Sequence, residues 1–316
     1  MFHMSASSLP YAVCGVTGRT GAAAADTLLR AGCAVRVVVR DPAQGRRWAE
    51  RGAEVAVADL TELAALTRAL DRVRGAYLVC PQDYGRDDVF EQAARIADTA
   101  ARAALVAEVP RLVALSSMGA DRAGGTGWIG MNRAFEQRLG ETGIAATWLR
   151  AAYFMENWTP LVGQAVRSGT LPSFLAPPHR TFPMVATADV GSAAAALLED
   201  TWTGTRIVTL AGPKEYAPDD VAAIVAAALG TPVRVATLAE GDWHGALAGA
   251  GFSQAALAGF TVMTRGLNSG HIDIGSDPRA TARVGTTPLE RVIADLARAG
   301  AADGRRTGKQ KAHSPK

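Results

Sequence analysis

Residues Tyr11–Gly21, YAVCGVTGRTG, decide how the chain folds. A short apolar run breaks into Gly15, Gly18 and Gly21 and continues into the alanine-rich Ala22–Leu29. That order predicts a buried first strand, a tight turn and a helix starting at the third glycine. Gly15 permits the turn, Gly18 lets backbone approach a pyrophosphate with no Cβ in the way, and Gly21 lets helix and strand pack closely. The helix N-terminus then offers free N–H groups and partial positive charge to phosphates. The stretch reads as a dinucleotide cradle.

Beyond it, strand and helix alternate. Gly32 is a plausible C-cap, and Ala34–Arg40 (AVRVVVR) is a valine-rich strand. Asp41 and Pro42 open a second helix through Arg51. Glu54–Leu60 is a third strand, Thr61–Asp71 a helix and Gly75–Cys80 a fourth strand. Asp87–Ala107 predicts a long helix, Arg111–Ser117 a fifth strand, Ile129–Thr142 a helix and Ala146–Arg150 a sixth strand. Short connections between alternating elements require crossover helices on both faces of a mainly parallel sheet. The fold class is α/β, a doubly wound Rossmann-type parallel sheet with a smaller C-terminal lobe covering the substrate.

From Ala151 the alternation loosens. Pro172, Pro177, Pro178 and Pro183 mark irregular segments, with helices expected at Val190–Asp200, Pro218–Leu229 and Leu289–Ala299 and strands at Arg206–Leu210 and Val233–Leu238. The expected organisation is a disordered lead-in over 1–10, an NAD(P)-binding core over 11–150, a pocket lobe interleaved with the core over 151–302, and a disordered basic tail over 303–316.

Composition narrows the class. Hydrophobic residues make up 48% of the 316, yet no uncharged apolar run approaches the ~18 residues of a membrane span. MFHMSASSLP has no basic region leading into an apolar core, so a secretory signal is not expected. Cys14, Cys33 and Cys80 lack metal-ligand spacing, which points to a reducing, cytoplasmic setting and no metal. The net charge of +3 misleads, because Gly304–Lys316 holds five Lys/Arg and no acid, leaving 28 basic against 30 acidic residues elsewhere. The folded body is therefore not a basic nucleic-acid binder.

Several residues carry chemistry. Arg40 closes the second strand, where an NAD-selective fold usually places an acid for the ribose 2′-hydroxyl; a guanidinium there suits a 2′-phosphate, hence NADP(H). Arg19, inside the glycine loop, is either a second phosphate contact or a surface arginine. Asp59 either contacts adenine or caps the next helix. Val79, Cys80 and Pro81 end the fourth strand beside the cofactor, and Tyr84 follows in a loop over the site. Ser116 and Ser117 end the fifth strand, facing the nicotinamide or satisfying loose backbone groups. None of the five histidines has triad spacing.

GVTGRTG, VVVRDP, LSSMGAD, GIAATWLRAAYFMENW and RATARVGTTPLERVIADL together resemble the NmrA-like family, an atypical branch of the short-chain dehydrogenase/reductases. The similarity runs from about Tyr11 to Ala299. It implies a phosphate loop of Gly15, Thr17, Gly18, Arg19, Thr20 and Gly21, with Arg40 on the 2′-phosphate, Asp59 and Leu60 at the adenine, and Cys80, Pro81, Ser116 and Ser117 near the nicotinamide. Reductase branches carry lysine or histidine where this chain has Asn132, and the superfamily's Tyr-x-x-x-Lys pair is absent. Asparagine donates hydrogen bonds but does not titrate as an acid. Ser117, Asn132 and Tyr153, with Tyr153 as an alternative to water for the proton, make up the expected catalytic set; Tyr84, Trp128, Met155, Asn157 and Trp158 make up the expected substrate pocket. The family implies an NADPH-dependent reductase, monomeric or homodimeric, acting on a small quinone, enone or imine-like molecule, with secondary metabolism as one setting. A cofactor-binding redox sensor and a nucleotide-retaining isomerase or epimerase are the alternatives.

Overall fold

The computed structural model describes residues 9–275 and 277–295. The basic tail and residues 1–8 of the expected lead-in lie outside the described residues. Pro10 does not behave as a lead-in: it is buried, and its carbonyl accepts from the Arg74 N–H at 2.9 Å.

The first half follows the predicted alternation: β1 (Tyr11–Cys14), α1 (Arg19–Arg30), β2 (Val35–Val39), α2 (Pro42–Ala49), β3 (Glu54–Val57), α3 (Leu63–Leu70), β4 (Gly75–Leu78), α4 (Val89–Val106), β5 (Arg111–Ser117), α5 (Ile129–Gly140) and β6 (Ala145–Ala151). β1 and β4 are buried at every position. Such continuous apolar runs suit parallel strands covered on both faces. α1 begins at Arg19, two residues before the glycine expected to start it, so Gly21 lies inside its first turn.

The second half is more regular than its prolines suggest. β7 (Tyr153–Phe154) leads into a 3-10 turn (Met155–Trp158) and α6 (Thr159–Ser168). β8 (Thr170–Ser173), β9 (Phe182–Val185), α7 (Thr187–Glu199), β10 (Thr205–Ala211), β11 (Glu215–Tyr216), α8 (Pro218–Leu229), β12 (Arg234–Thr237), α9 (Trp243–Ala246), α10 (Gln254–Ser269) and β13 (Ala280–Val284) follow. Residues 289–295 are helical. Pro172 is accommodated because β8 pairs only with β12, leaving its other edge free of ladder bonds. α10 was not assigned from sequence, although Ser253 caps it by accepting from the Ala256 N–H and Gly270 ends it in the left-handed region.

The central sheet has eight strands in the order β13-β10-β6-β5-β4-β1-β2-β3, every neighbouring pair parallel. β10 and β13 come from the second half, so the sheet runs well past residue 151. One core layer joins α1, α2 and α7 to one face; a second joins α3, α4 and α5 to the other. Gly191 of α7 packs directly on the α1 backbone at Ala23–Ala24, where any added Cβ would clash. Smaller sheets β11-β9-β7 and β12-β8 stand beside the main one.

Candidate functional site

Chain order reverses at β1: β2 and β3 extend one way from it, β4, β5 and β6 the other. Ligands of open α/β sheets bind outside the carboxyl ends of the strands at such a reversal. The glycine loop forms one wall. Gly15 has φ +72°, and its carbonyl accepts from the Gly18 N–H at 2.9 Å. A Cβ on Gly21 would run into the Gly15 carbonyl and approach the Cys14 oxygen at 2.8 Å. Thr17, Gly18 and Arg19 are exposed along the outer side of the loop. Gly18 supplies no side-chain cap to α1, and no acid lies in the helix's first turn. Its free N–H groups therefore face outward with their partial positive charge uncompensated, which is what an anion needs. Thr20 is buried beneath the loop, so its contribution to a phosphate is limited to its backbone.

Arg47, which sequence reasoning missed, reaches from α2 to donate to the Val16 carbonyl at 2.9 Å and braces the loop from behind. Arg40 is exposed at the end of β2, with no side-chain hydrogen bond to another described residue. Asp59 does not cap α3, whose N-cap is Glu62 with no side-chain cap bond; its carboxylate closes the turn before the helix, accepting from the Thr61 N–H and hydroxyl at 2.8 and 2.7 Å. Those bonds, with the nearby Arg40 guanidinium, hold the Asp59 carboxyl below the usual carboxylate range. Leu60 is half-buried beside it. This cradle fits a 2′-phosphorylated dinucleotide: a bare helix N-terminus for the pyrophosphate and an unengaged arginine after β2.

At the other end of the cleft the structure corrects several expectations. Ser116 is buried and its hydroxyl donates to Glu136 Oε1 at 2.5 Å, so it does not face the nicotinamide side. Strand alternation puts Ser117 on the opposite face, half-buried, its hydroxyl donating to the Met118 carbonyl at 3.1 Å. The Cys80 thiol turns into the α4 packing, towards the Ala93 carbonyl at 3.7 Å, and burial pushes it up to about 12; only its backbone can border a cofactor. Pro81 is exposed at the strand end. Met155 and Trp158 are fully buried in the core under the 3-10 turn and do not line a pocket. Burial pushes the Tyr153 phenol up to about 12, partly offset by a hydrogen bond with Asn157, which makes it a poor proton donor at neutral pH. Asn157 is exposed. Glu156, unremarked in the sequence, accepts from the Thr187 N–H and hydroxyl and caps α7.

The remaining pocket residues converge. Tyr84 stacks on Trp128 with ring centroids 3.9 Å apart at 23°, and Phe252 meets both edge-on at 5.6 and 5.5 Å. The Trp128 indole donates to the Ala256 carbonyl at 2.8 Å, and the Ser253 N–H donates to the Tyr84 carbonyl at 2.8 Å, tying the start of α10 to the loop after β4. Asn132, part-buried on α5, accepts from Gln82 Nε2 at 3.3 Å, and the Tyr84 hydroxyl donates to Gln82 Oε1 at 3.1 Å. Behind this surface, Arg150 links Glu136 of α5 to Asp277, which Arg279 also holds. Among the described residues no group of three or more His, Cys, Asp or Glu side chains could hold a metal, and no helix is long and apolar enough to cross a membrane.

The chain is similar to known proteins. NAD(P)H azoreductase of Xenophilus azovorans is 29% identical over 246 residues, covering 77% of this chain and 82% of that one. Quinone oxidoreductase 2 of Escherichia coli (strain K12) is 27% identical over 242 residues, covering 76% and 82%. The crystal structure of an NADPH-dependent quinone oxidoreductase from Escherichia coli, in complex with NADPH, superposes with a TM-score of 0.72 at 25% identity over 90% of this chain and 99% of that one. The NmrA-like family model matches residues 11–245, taking in the glycine cradle, Arg40, the Asn132 helix and the aromatic residues Tyr84 and Trp128. The chain belongs to the NmrA-like family.

Proposed function

We propose that the protein is an NADPH-dependent oxidoreductase reducing a small, flat, conjugated acceptor of the quinone, enone or imine-like class. The observation that carries the reading is the uncapped α1 N-terminus under Gly15 and Gly18, with Arg40 standing exposed after β2. The named activities of the relatives support it. Gly15, Thr17, Gly18, Arg19 and Gly21 would hold the pyrophosphate through backbone N–H groups, Arg40 the 2′-phosphate, and Leu60 and Asp59 the adenine side. When bound, the nicotinamide supplies a hydride, and the second hydrogen arrives as a proton from water.

The chain's own part is then positioning and electrostatics. Tyr84, Trp128 and Phe252 offer aromatic faces against which a flat acceptor stacks. Asn132 would stand on the nicotinamide side, where a neutral donor stabilises negative charge developing on a carbonyl oxygen or imine nitrogen; the Ser117 hydroxyl already donates to the Met118 carbonyl. A non-catalytic sensor is the second reading, favoured by two observations: Asn132 stands where lysine or histidine is expected, and the phenols of Tyr84 and Tyr153 are both pushed up rather than poised near neutrality. NADPH oxidation across a panel of quinones and enones tests the pair. Acceptor-dependent oxidation supports the reductase, whereas tight NADPH binding without oxidation supports the sensor.

A further inference from the structure

Asn132, Gln82 and Tyr84 form a chain of hydrogen bonds with a direction. Tyr84 Oη donates to Gln82 Oε1 at 3.1 Å, and Gln82 Nε2 donates to Asn132 Oδ1 at 3.3 Å. The direction is set at the tyrosine. Its ring is packed against Trp128 and Phe252, and burial pushes the phenol up, so the hydroxyl stays protonated and able to donate, as it does to the amide oxygen of Gln82. A glutamine whose oxygen is taken presents its NH₂ to the next group. Asn132 must answer with its oxygen, which turns its own NH₂ away. That nitrogen has no hydrogen-bond partner among the described residues and is not sealed from solvent, and the Gln82 it turns away from follows the carboxyl end of β4.

We infer that Gln82 is a positioning residue that, held by Tyr84, fixes the polarity of the Asn132 amide so that Nδ2 is a preset donor to the acceptor's oxygen or nitrogen. Without this bond the amide can rotate, and half of its orientations offer an oxygen to an atom that is becoming negative. With it, the donor is already aimed, so no reorganisation accompanies the appearance of charge. The arrangement accounts for a neutral side chain at this point of α5: orientation stands in for the cation. The inference rests on the reading of Asn132 as facing the acceptor, and it names acceptors with a hydrogen-bond-accepting atom in the conjugated plane.

The experiment is a double-mutant cycle on the NADP⁺-loaded protein, which needs no turnover. Binding of 1,4-naphthoquinone is followed by tryptophan fluorescence in wild type, Gln82→Glu, Asn132→Ala and the double variant, with NADPH oxidation measured on the same four proteins. A carboxylate at position 82 has no proton to give, so Asn132 swings its NH₂ towards it and its oxygen into the cleft. Gln82→Glu is expected to weaken naphthoquinone binding about tenfold or more in the wild-type background and less than twofold beside Asn132→Ala, while NADPH affinity stays within twofold throughout. Gln82→Leu, which leaves the amide free, is expected to fall between wild type and Gln82→Glu. The same loss in both backgrounds overturns the inference, as does absence of naphthoquinone binding to the loaded wild type. The coupled pattern in binding, with no NADPH oxidation by any of the four, supports the amide relay and overturns the reductase reading instead.

Discussion

Arg150 on β6 and Glu136 on α5 meet in a two-point ion pair, Nε to Oε1 at 2.8 Å and Nη2 to Oε2 at 2.6 Å, with only 5% and 7% of their side chains exposed. Removing one member of a buried pair costs roughly 3–5 kcal/mol; without Glu136, Arg150 keeps only its bond to Asp277 and the Ser116 hydroxyl loses its acceptor. Glu136→Ala is therefore expected to lower unfolding free energy by about that amount, read as a shifted urea midpoint at unchanged slope. Glu141→Ala, at the C-cap of the same helix and in an exposed contact with Arg138, should leave the midpoint in place. Equal midpoints for both variants would show that the buried pair contributes nothing.

The exposed Arg40 predicts cofactor choice. Charge-assisted hydrogen bonds to a 2′-phosphate are worth roughly 1.5–3 kcal/mol, or about ten- to a hundredfold in affinity. Fluorescence titration should find NADPH tighter than NADH by such a factor, and Arg40→Glu should reverse the order. Equal affinities for the two nucleotides in wild type would remove Arg40 from the phosphate site.

A methyl group at Gly21 would strike the Gly15 carbonyl, displacing the loop rather than a flexible side chain. Gly21→Ala should weaken NADPH binding at least tenfold. Gly163→Ala is the control: its Cβ would lie 3.7 Å from the end of the Arg167 side chain on α6, an ordinary van der Waals contact. Its NADPH affinity should match wild type, and its melting temperature should not fall, because alanine favours the helix over glycine.

Three phenols predict a loss of stability in alkali. Burial raises Tyr153 to about 12 and raises Tyr77 and Tyr84 further, against about 10 in an unfolded chain. Because the unfolded form releases these protons first, stability is complete below about pH 10 and declines as pH rises towards the folded values. The melting temperature should fall steeply from pH 10 to 12, less so in Tyr153→Phe, while phenolate absorbance appears only with unfolding. Phenolate absorbance in the folded protein near pH 10 would contradict the burial of these rings.

What the sequence made legible was local. The glycine turn and the alternation through β6 rest on neighbouring residues, and β5 spans the predicted Arg111–Ser117. Asp59 turns back on Thr61 two residues on, which keeps it local but makes it a turn residue and not the cap of α3. The misplaced residues depended on distant partners. Ser116 and Ser117 look alike in sequence; only Glu136, twenty positions later on the covering helix, draws one of them inward. Met155 and Trp158 read as pocket residues because they follow the sixth strand, but the 3-10 turn rolls both into the core. Gln82 carried no sequence signal, since its meaning comes from facing Asn132 across fifty residues.

The close seating of Gly191 on Ala23–Ala24 has a consequence for the order in which the protein comes into being. As the chain leaves the ribosome, the glycine cradle and α1 emerge early, yet the flank of α1 at Ala23–Ala24 stays uncovered until α7 has been synthesised. β10 and β13 are made later still, and the sheet edge at β6 waits for them. The two ends of the chain are thus bound into one sheet, and the layer against which the cradle's helix rests is complete only when the second half of the chain has been made.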